Sequence, residues 1–402
     1  MGQSDAFPSP PHQPPLPPET PAGSAEELLA AEVVLAMTPG LGPRLRAALV
    51  EHLGSPQAVL AASPSELRAV AGIGPKLCAS LLAARQNVRP HELLAQWRGQ
   101  QVQVLAISHP DYPAALRSIP DPPGLLFVRG TLKPWDGLAI AIVGTRHATP
   151  YGIAQAQRLA GGLARAGFTI VSGLARGIDA AAHQGALAAG GRTLAVLGSG
   201  VCCIYPPEHT KLAEQVLAQG ALVSECPPDT PPVAGVFPAR NRIITGLSLG
   251  VIIVEAADRS GALISARHAA EQGREVFAVP GRVDSRMSRG CHRLIRDGAK
   301  LVETVDDVLQ ELGPLPLPTP AAAGDGQADD AAASVCVRHP AELQLNEPER
   351  KVLAAIGDEP VVVDQVIASC GLEAANVLAT LSVLEMRRLV RRVSGNRVMR
   401  NF

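Results

Sequence analysis

The stretch "GLAIAIVGT" (137–145) runs through six apolar residues, several of them β-branched, and stops at Gly144 and Thr145. It is too short for a buried helix. A strand with one face in water alternates apolar and polar residues, whereas an uninterrupted apolar run is covered on both faces, as in a parallel sheet wrapped by helices. The pattern recurs in "FTIVSG" (168–173), "TLAVLGS" (193–199), "ALVSE" (221–225), "GVIIVEA" (250–256), "EVFAVPG" (275–281) and "KLVET" (300–304). Amphipathic segments such as 151–166 and 260–273 lie between them. Residues 99–312 are therefore predicted to be α/β, a doubly wound, mostly parallel sheet. The lead-in "VQVLAISHPDYPAALRSIPDPPGLLFVRG" (102–130) should add strands at one side.

Outward from this core the composition changes. Residues 1–24 are Pro-rich and predict a disordered tail. Residues 25–98 read as all helix, with "TPGLGPRLRAALVEHLG" (38–54) and "VAGIGPKLCASLLAAR" (70–85) each placing a Gly-x-Gly-Pro turn before a helix that carries Arg44 and Arg46, or Lys76. Such helix-hairpin-helix turns either hold a phosphate on their amides or only reverse the chain. Residues 313–340, opening with "GPLPLPTPAAAGDGQADDAAAS", read as a linker. Residues 341–402 predict three helices and a basic hairpin, a winged helix. Its third helix, within "EAANVLATLSVLEM", is poor in cations, which favours a protein-facing or weakly DNA-binding module.

The whole 402-residue chain carries a net charge of −1, so any surface for nucleic acid has to be local. Seven cysteines without a CxxC pair or a His at metal-ligand spacing predict a reducing cytoplasm and no metal. No charged-then-apolar leader and no membrane-length apolar run is present.

Ligands of doubly wound sheets bind outside the carboxyl ends of the strands, and there the sequence is unusual. "VGTRHATPYG" offers Gly144 for a tight turn, the Thr145 hydroxyl and the Arg146 cation. "SGLARGIDAAAH" offers Ser172, Gly173 and Arg176, and "GSGVCCIYPPEH" contributes Gly198, Ser199, Gly200 and Tyr205. "EAADRSGALISARHA" places Ser260 and Gly261 at a helix start. In "GVFPARNRIITGLS" (235–248), Pro238 fits a first helical position, followed by Arg240 and Arg242 where a helix disfavours cations. Either surface carboxylates or an external anion answers them. From Arg240 to Lys300 there are 11 Lys/Arg against 6 Asp/Glu. Aromatics are only 3% of the chain, so Phe237 beside these arginines is a candidate ring for a base to stack on, or ordinary core. Asp179 is a candidate helix cap, and Glu255 a candidate anchor for arginines. Neither a G-x-G-x-x-G fingerprint after the first strand nor a P-loop lysine is present.

The motifs "IVGTR", "SGLARGID", "LGSG…YP", "FPARNRIITGLS", "VIIVEA…SGALISARHA", "VFAVPG" and "GCHRLIRDGAKLV" together resemble the DprA/Smf (DNA processing protein A) family, in that family's order. The resemblance implies an extended Rossmann-like core, flanked by helix-hairpin-helix (SAM-like) and winged-helix parts. It implies a non-enzymatic, homodimeric mediator that binds single-stranded DNA and loads a RecA-type recombinase in natural transformation. Gly144, Thr145, Arg146, Ser172, Gly173, Arg240 and Asn241 would hold phosphate and Phe237 a base. A lysine common in the family is Ala234 here. The implied dimer contact is "CHRLIRDGAKLV" (291–302), with His292, Ile295 and Leu301. Duplex DNA stays open as a second ligand. The competing expectations are a nucleotide-processing Rossmann enzyme of the phosphoribohydrolase kind, whose "PGGxGT…E" signature is absent, and a protein-interaction scaffold without DNA affinity.

Overall fold

The computed structural model describes residues 22–233, 235–313, 315–316, 336–337, 345–357, 360–387, 389–393 and 397–400. Its first helix is α1 (Ala22–Ala36). Each of the next five begins on a proline: α2 (Pro43–Leu53), α3 (Pro56–Ala61), α4 (Pro64–Ala69), α5 (Pro75–Asn87) and α6 (Pro90–Gly99). The first helical position has no use for an N–H and accepts the fixed φ of proline, so these prolines set the helix starts. Ser63 and Glu66 close a reciprocal capping box on α4. Two compact units result, one formed by the described residues 22–41 with Ala48–Pro90, the other by Gly42–Ala47 and the described residues from His91 onward. Of the turn cations, Lys76 and Arg44 are exposed, whereas Arg46 is 9% exposed and cannot serve an external phosphate.

In the second unit, all seven apolar runs are parallel neighbours in one sheet. The strands are β1 (Val102–Ala106), β2 (Leu125–Gly130), β3 (Ala139–Val143), β4 (Thr169–Ser172), β5 (Thr193–Val196), β6 (Ala221–Ser224), β7 (Gly250–Ile253), β8 (Glu275–Ala278) and β9 (Lys300–Leu301), in the order β1-β2-β6-β5-β4-β3-β7-β8-β9. β1 and β2, from the lead-in, form the antiparallel edge beyond β6. The intervening helices are α7 (Ala114–Arg117), α8 (Pro150–Arg165), α9 (Ile178–Ala188), α10 (Thr210–Gln219), α11 (Val236–Gly246), α12 (Ala262–Glu271), α13 (Arg289–Arg296) and α14 (Val305–Leu312). Alternate residues of β3 explain why the run is apolar throughout. Ala139, Ala141 and Val143 join a core built with α7, α11 and α12, while Ile140 and Ile142 join one built with α8, α9 and α14. All five are buried. Truncating a side chain such as Ile142 to alanine should cost about 2–5 kcal/mol.

From β3 the chain winds through β4, β5 and β6 to one side, then returns to β7 on the other side of β3. That reversal leaves a crevice between the carboxyl ends of β3 and β7, because the connections leave these two strands in opposite directions. Further along, β10 (Leu315–Pro316) pairs with β11 (Cys336–Val337), and the rest of the expected linker lies outside the described residues. The chain then forms α15 (Glu347–Ala354), β12 (Val361–Val362), α16 (Val363–Cys370), α17 (Ala374–Met386), β13 (Val390–Val393) and β14 (Arg397–Arg400), a winged helix with its own apolar core. The exposed positions of α17 include Leu378, Glu385 and Met386 and no cation. Among the described residues no single helix is long and apolar enough to cross a membrane. The expected N-terminal tail falls almost wholly outside them.

Candidate nucleic-acid interface

The crevice at the strand reversal opens into a cleft of about 720 Å³. Gly144, Thr145 and Arg146 line it from the β3 end, Phe237, Arg240 and Asn241 from α11, and Ser260 and Gly261 from the loop before α12. Eight of the twelve residues expected to meet DNA are thus brought together. Tyr205 and Asp179 line the same space.

Arg146 is exposed and, among the described residues, has no ion-pair partner. Its guanidinium stands 5.3 Å from the centroid of the Phe237 ring, and that ring lies 5.6 Å from the ring of Tyr205. A cation over an aromatic face is held by the ring quadrupole, so the charge is positioned without being neutralised. Gly198 makes room for Phe237: a β-carbon there would sit 2.9 Å from its Cδ1. The loop bearing Arg146 is fixed by backbone bonds, Thr145 N–H to Glu255 O at 2.8 Å and Ile178 N–H to Thr145 O at 3.3 Å. Gly144 is required by close approach, since a β-carbon would meet Ile178 Cγ1 at 2.5 Å.

α11 starts at Val236, behind Gly235 with φ +95°, so Pro238 is its third residue. Arg240 and Arg242 consequently lie in the second turn, and of the two expected alternatives it is groups of the chain, not an external anion, that answer them. Arg242 is 4% exposed and answers two carboxylates, Asp121 at 3.4 Å and Glu225. It does not line the cleft and is withdrawn from the candidate set. Arg240 does line the cleft, but from beneath. Its Nη1 donates to the carbonyls of Gly173, at 2.8 Å, and Val196, while its Nε is buried without a partner. Burial pulls its pKa down to about 10, so it stays cationic at neutral pH.

Five other expectations are corrected. The Ser172 hydroxyl is fully buried and donates to Ile142 O at 2.6 Å, so it is spent inside the sheet. Gly173 gives its N–H to Asp179 at 3.2 Å and its carbonyl to Arg240, and a β-carbon there would strike the Arg240 guanidinium at 2.5 Å. Arg176 is outside the cleft lining and pairs with Glu208 on the surface. Among the described residues Glu255 anchors no arginine; its carboxylate takes the Thr149 N–H and hydroxyl at 2.9 and 2.6 Å and thereby fixes the start of α8. Asp179 serves the amides of Gly173 and Ala175 rather than capping its own helix. Burial raises its pKa, opposed by Arg240 and by those amides.

A model of DNA recombination-mediator protein A matches residues 103–313. Protein Smf of Synechocystis sp. is 38% identical over 90% of this chain and 96% of its own length. The chain belongs to the DprA/Smf family. DNA processing protein DprA of Bacillus subtilis is 45% identical over 55% of this chain and 74% of its own length. The crystal structure of DNA processing protein A from Streptococcus pneumoniae superposes with a TM-score of 0.62 at 35% identity, covering 70% of this chain and 97% of that one. Flanking matches are a SAM-like helix-hairpin-helix tandem at 24–87 and a DprA winged-helix domain at 337–396. Ala234, the position of the family lysine, lies outside the described residues.

Of the site residues now in place, Asn241 donates from Nδ2 to Gly261 O at 3.4 Å and Ser260 Oγ accepts from Ala262 N at 3.3 Å, so both order the start of α12. The Tyr205 contact with Phe237 was missed from sequence. Its signal was present in the scarcity of aromatics and in a tyrosine closing a glycine-rich strand end. The carboxylates that answer Arg242 had no local signal, because they come from distant loops.

Proposed function

We propose that this chain is a cytoplasmic, non-enzymatic mediator that holds single-stranded DNA along the carboxyl edge of its sheet and passes it to a RecA-type recombinase, as in natural transformation. The observation that carries this is Arg146, an exposed cation without an ion-pair partner among the described residues, held over Phe237 at the mouth of the cleft. An aromatic face beside phosphate-seeking cations suits a strand whose bases unstack, and it needs no base sequence. Gly144, Thr145, Asn241, Ser260 and Gly261 shape the backbone around the phosphates, and Arg240 adds charge from below. Among the described residues no cluster of His, Cys, Asp and Glu suits a metal.

The protein acts as a homodimer through the β9 edge in this proposal. Leu301 is 47% exposed there, beside α13. His292 is a weaker candidate, since its ring already bonds Gly281 O at 3.0 Å. Titrating labelled single-stranded and duplex oligonucleotides into the protein tests the assignment. Phe237→Ala should weaken the single strand by about 1–3 kcal/mol while the fold is kept. Release of free base from nucleoside monophosphates, without affinity for oligonucleotides, would favour the nucleotide-processing alternative instead.

A further inference from the structure

Nine aromatic residues have described side chains, and Trp97, Tyr112, Phe127, Phe168 and Phe277 among them are buried. Of the four others, Trp135, Tyr151, Tyr205 and Phe237, all but Trp135 stand at the carboxyl edge of the sheet. Tyr205 and Phe237 belong to the cleft. Tyr151 does not, and nothing described so far uses it.

Tyr151 is 46% exposed, in the first turn of α8. Its hydroxyl donates to Pro280 O at 2.7 Å. The side chain therefore starts after β3 and ends at the loop after β8, crossing the end of β7, which lies between them in the sheet. The bond leaves a ring that is fixed in place yet half open to water. An amphipathic ring held this way loses little freedom when a partner stacks on it.

The loop it touches is basic. Arg282 and Arg286 within it and Arg289 at the start of α13 are all exposed, as is Arg259 in the neighbouring β7–α12 loop. Asp284 answers Arg282 at 2.8 Å and Asp258 answers Arg289 at 4.0 Å, whereas Arg286 and Arg259 have no ion-pair partner among the described residues. Ala256 ties the loop down: its N–H donates to Met287 O and its carbonyl accepts from Gly290 N, both at 2.8 Å. Arg259 thus adjoins Ser260 at the cleft, and the Ala256 bonds and the Asp258–Arg289 pair hold the end of the β8–α13 loop beside it. Phe237 packs over the end of β5 at Gly198, and Tyr151 reaches the end of β8, four strand spacings away, about 19 Å. A single nucleotide does not span that distance. A strand does.

We propose that Tyr151 is a second stacking platform, and the β8–α13 loop its phosphate rail, for single-stranded DNA leaving the cleft towards β9. This rests on the cleft itself binding single-stranded DNA, and a length series separates the two. With the full chain, anisotropy is measured for a homothymidine oligonucleotide short enough to fill only the cleft, and for a long one. Tyr151→Ala should weaken the long oligonucleotide by about 5- to 100-fold and leave the short one unchanged, with Tyr151→Phe restoring most of the loss. Arg146→Ala should weaken both. In the wild-type protein, 5-iododeoxyuridine in the long oligonucleotide should photocross-link to Tyr151, a readout that does not depend on the variant folding. Wild-type affinity of Tyr151→Ala for the long oligonucleotide, or cross-links confined to Phe237 and Tyr205, would overturn the extension alone. Altered recombinase binding with DNA affinity intact would overturn it too, by making the patch a protein contact. Arg146→Ala that weakened neither oligonucleotide would remove the cleft assignment and this one with it.

Discussion

At Arg242 the guanidinium is almost fully buried between Asp121 and Glu225, so removing it strands the partly buried Glu225 carboxylate and leaves Asp121 only the exposed Arg44 at 4.0 Å. Breaking such a pair is far costlier than the pair's net worth. Arg242→Ala should lower stability by about 3 kcal/mol in urea denaturation, with any loss of DNA binding following from misfolding. An intact fold with selective loss of DNA affinity would contradict the internal pairing. His183 offers a second test. Thr193 gives its one hydroxyl proton to Ile170 O, so His183 Nδ1–H must donate to Thr193 Oγ1, at 2.7 Å, and Nε2 is left buried without a partner. Burial, with His209 and Arg240 nearby, pulls this histidine down to about 3. The unfolded chain binds a proton near pH 6.5 and the folded one does not, so stability is full above that pH and falls as pH drops from about 6.5 towards 3. His183→Asn should flatten that dependence by up to about 1.4 kcal/mol per pH unit, read from urea midpoints between neutral pH and pH 4. Parallel profiles would mean that His183 is protonated in the fold.

For the elements, what was legible in the sequence is what local patterning encodes. Seven uninterrupted apolar runs became seven parallel strands, since burial on both faces leaves no polar position to break the run. The start of α11 was misjudged because Pro238 is as acceptable at the third position as at the first, neither requiring an N–H. Ser172 and Arg242 look like ligand residues in sequence for the same reason: a hydroxyl or a cation at a strand or helix end carries no mark of the partner that claims it. Ile142 O claims one, and Asp121 with Glu225 the other. The edge strand β9 shows the same ambiguity resolved within one segment. Ile295 packs against the core from α13, whereas Leu301 faces outward at 47% exposure. Leu301→Glu should therefore yield monomers in light scattering that still unfold cooperatively, with a melting temperature that no longer depends on protein concentration, if the edge pairs two copies. A dimer that survives Leu301→Glu would place the contact elsewhere.

Across the whole molecule, a net charge of −1 conceals a local excess of cations that survives only in part once internal pairs are removed. Arg242 is neutralised, Arg176 is paired at the surface and Arg240 is enclosed by carbonyls. Arg146, Arg259, Arg267, Arg286, Arg293 and Arg296 remain exposed and unpaired among the described residues, the first four in loops or helices at the carboxyl edge of the sheet or just beyond it and the last two on α13. Phosphates held by such groups displace condensed counterions, so affinity has to fall with salt at a log–log slope of about −0.7 per contact for a single strand. The most direct measurement is the single-strand dissociation constant across a salt series for wild type and Arg146→Ala. A wild-type slope of several contacts, made shallower by about 0.7 in the variant, is the expected result. A flat wild-type profile, or a slope unchanged when Arg146 is lost, would contradict a phosphate-gripping cleft.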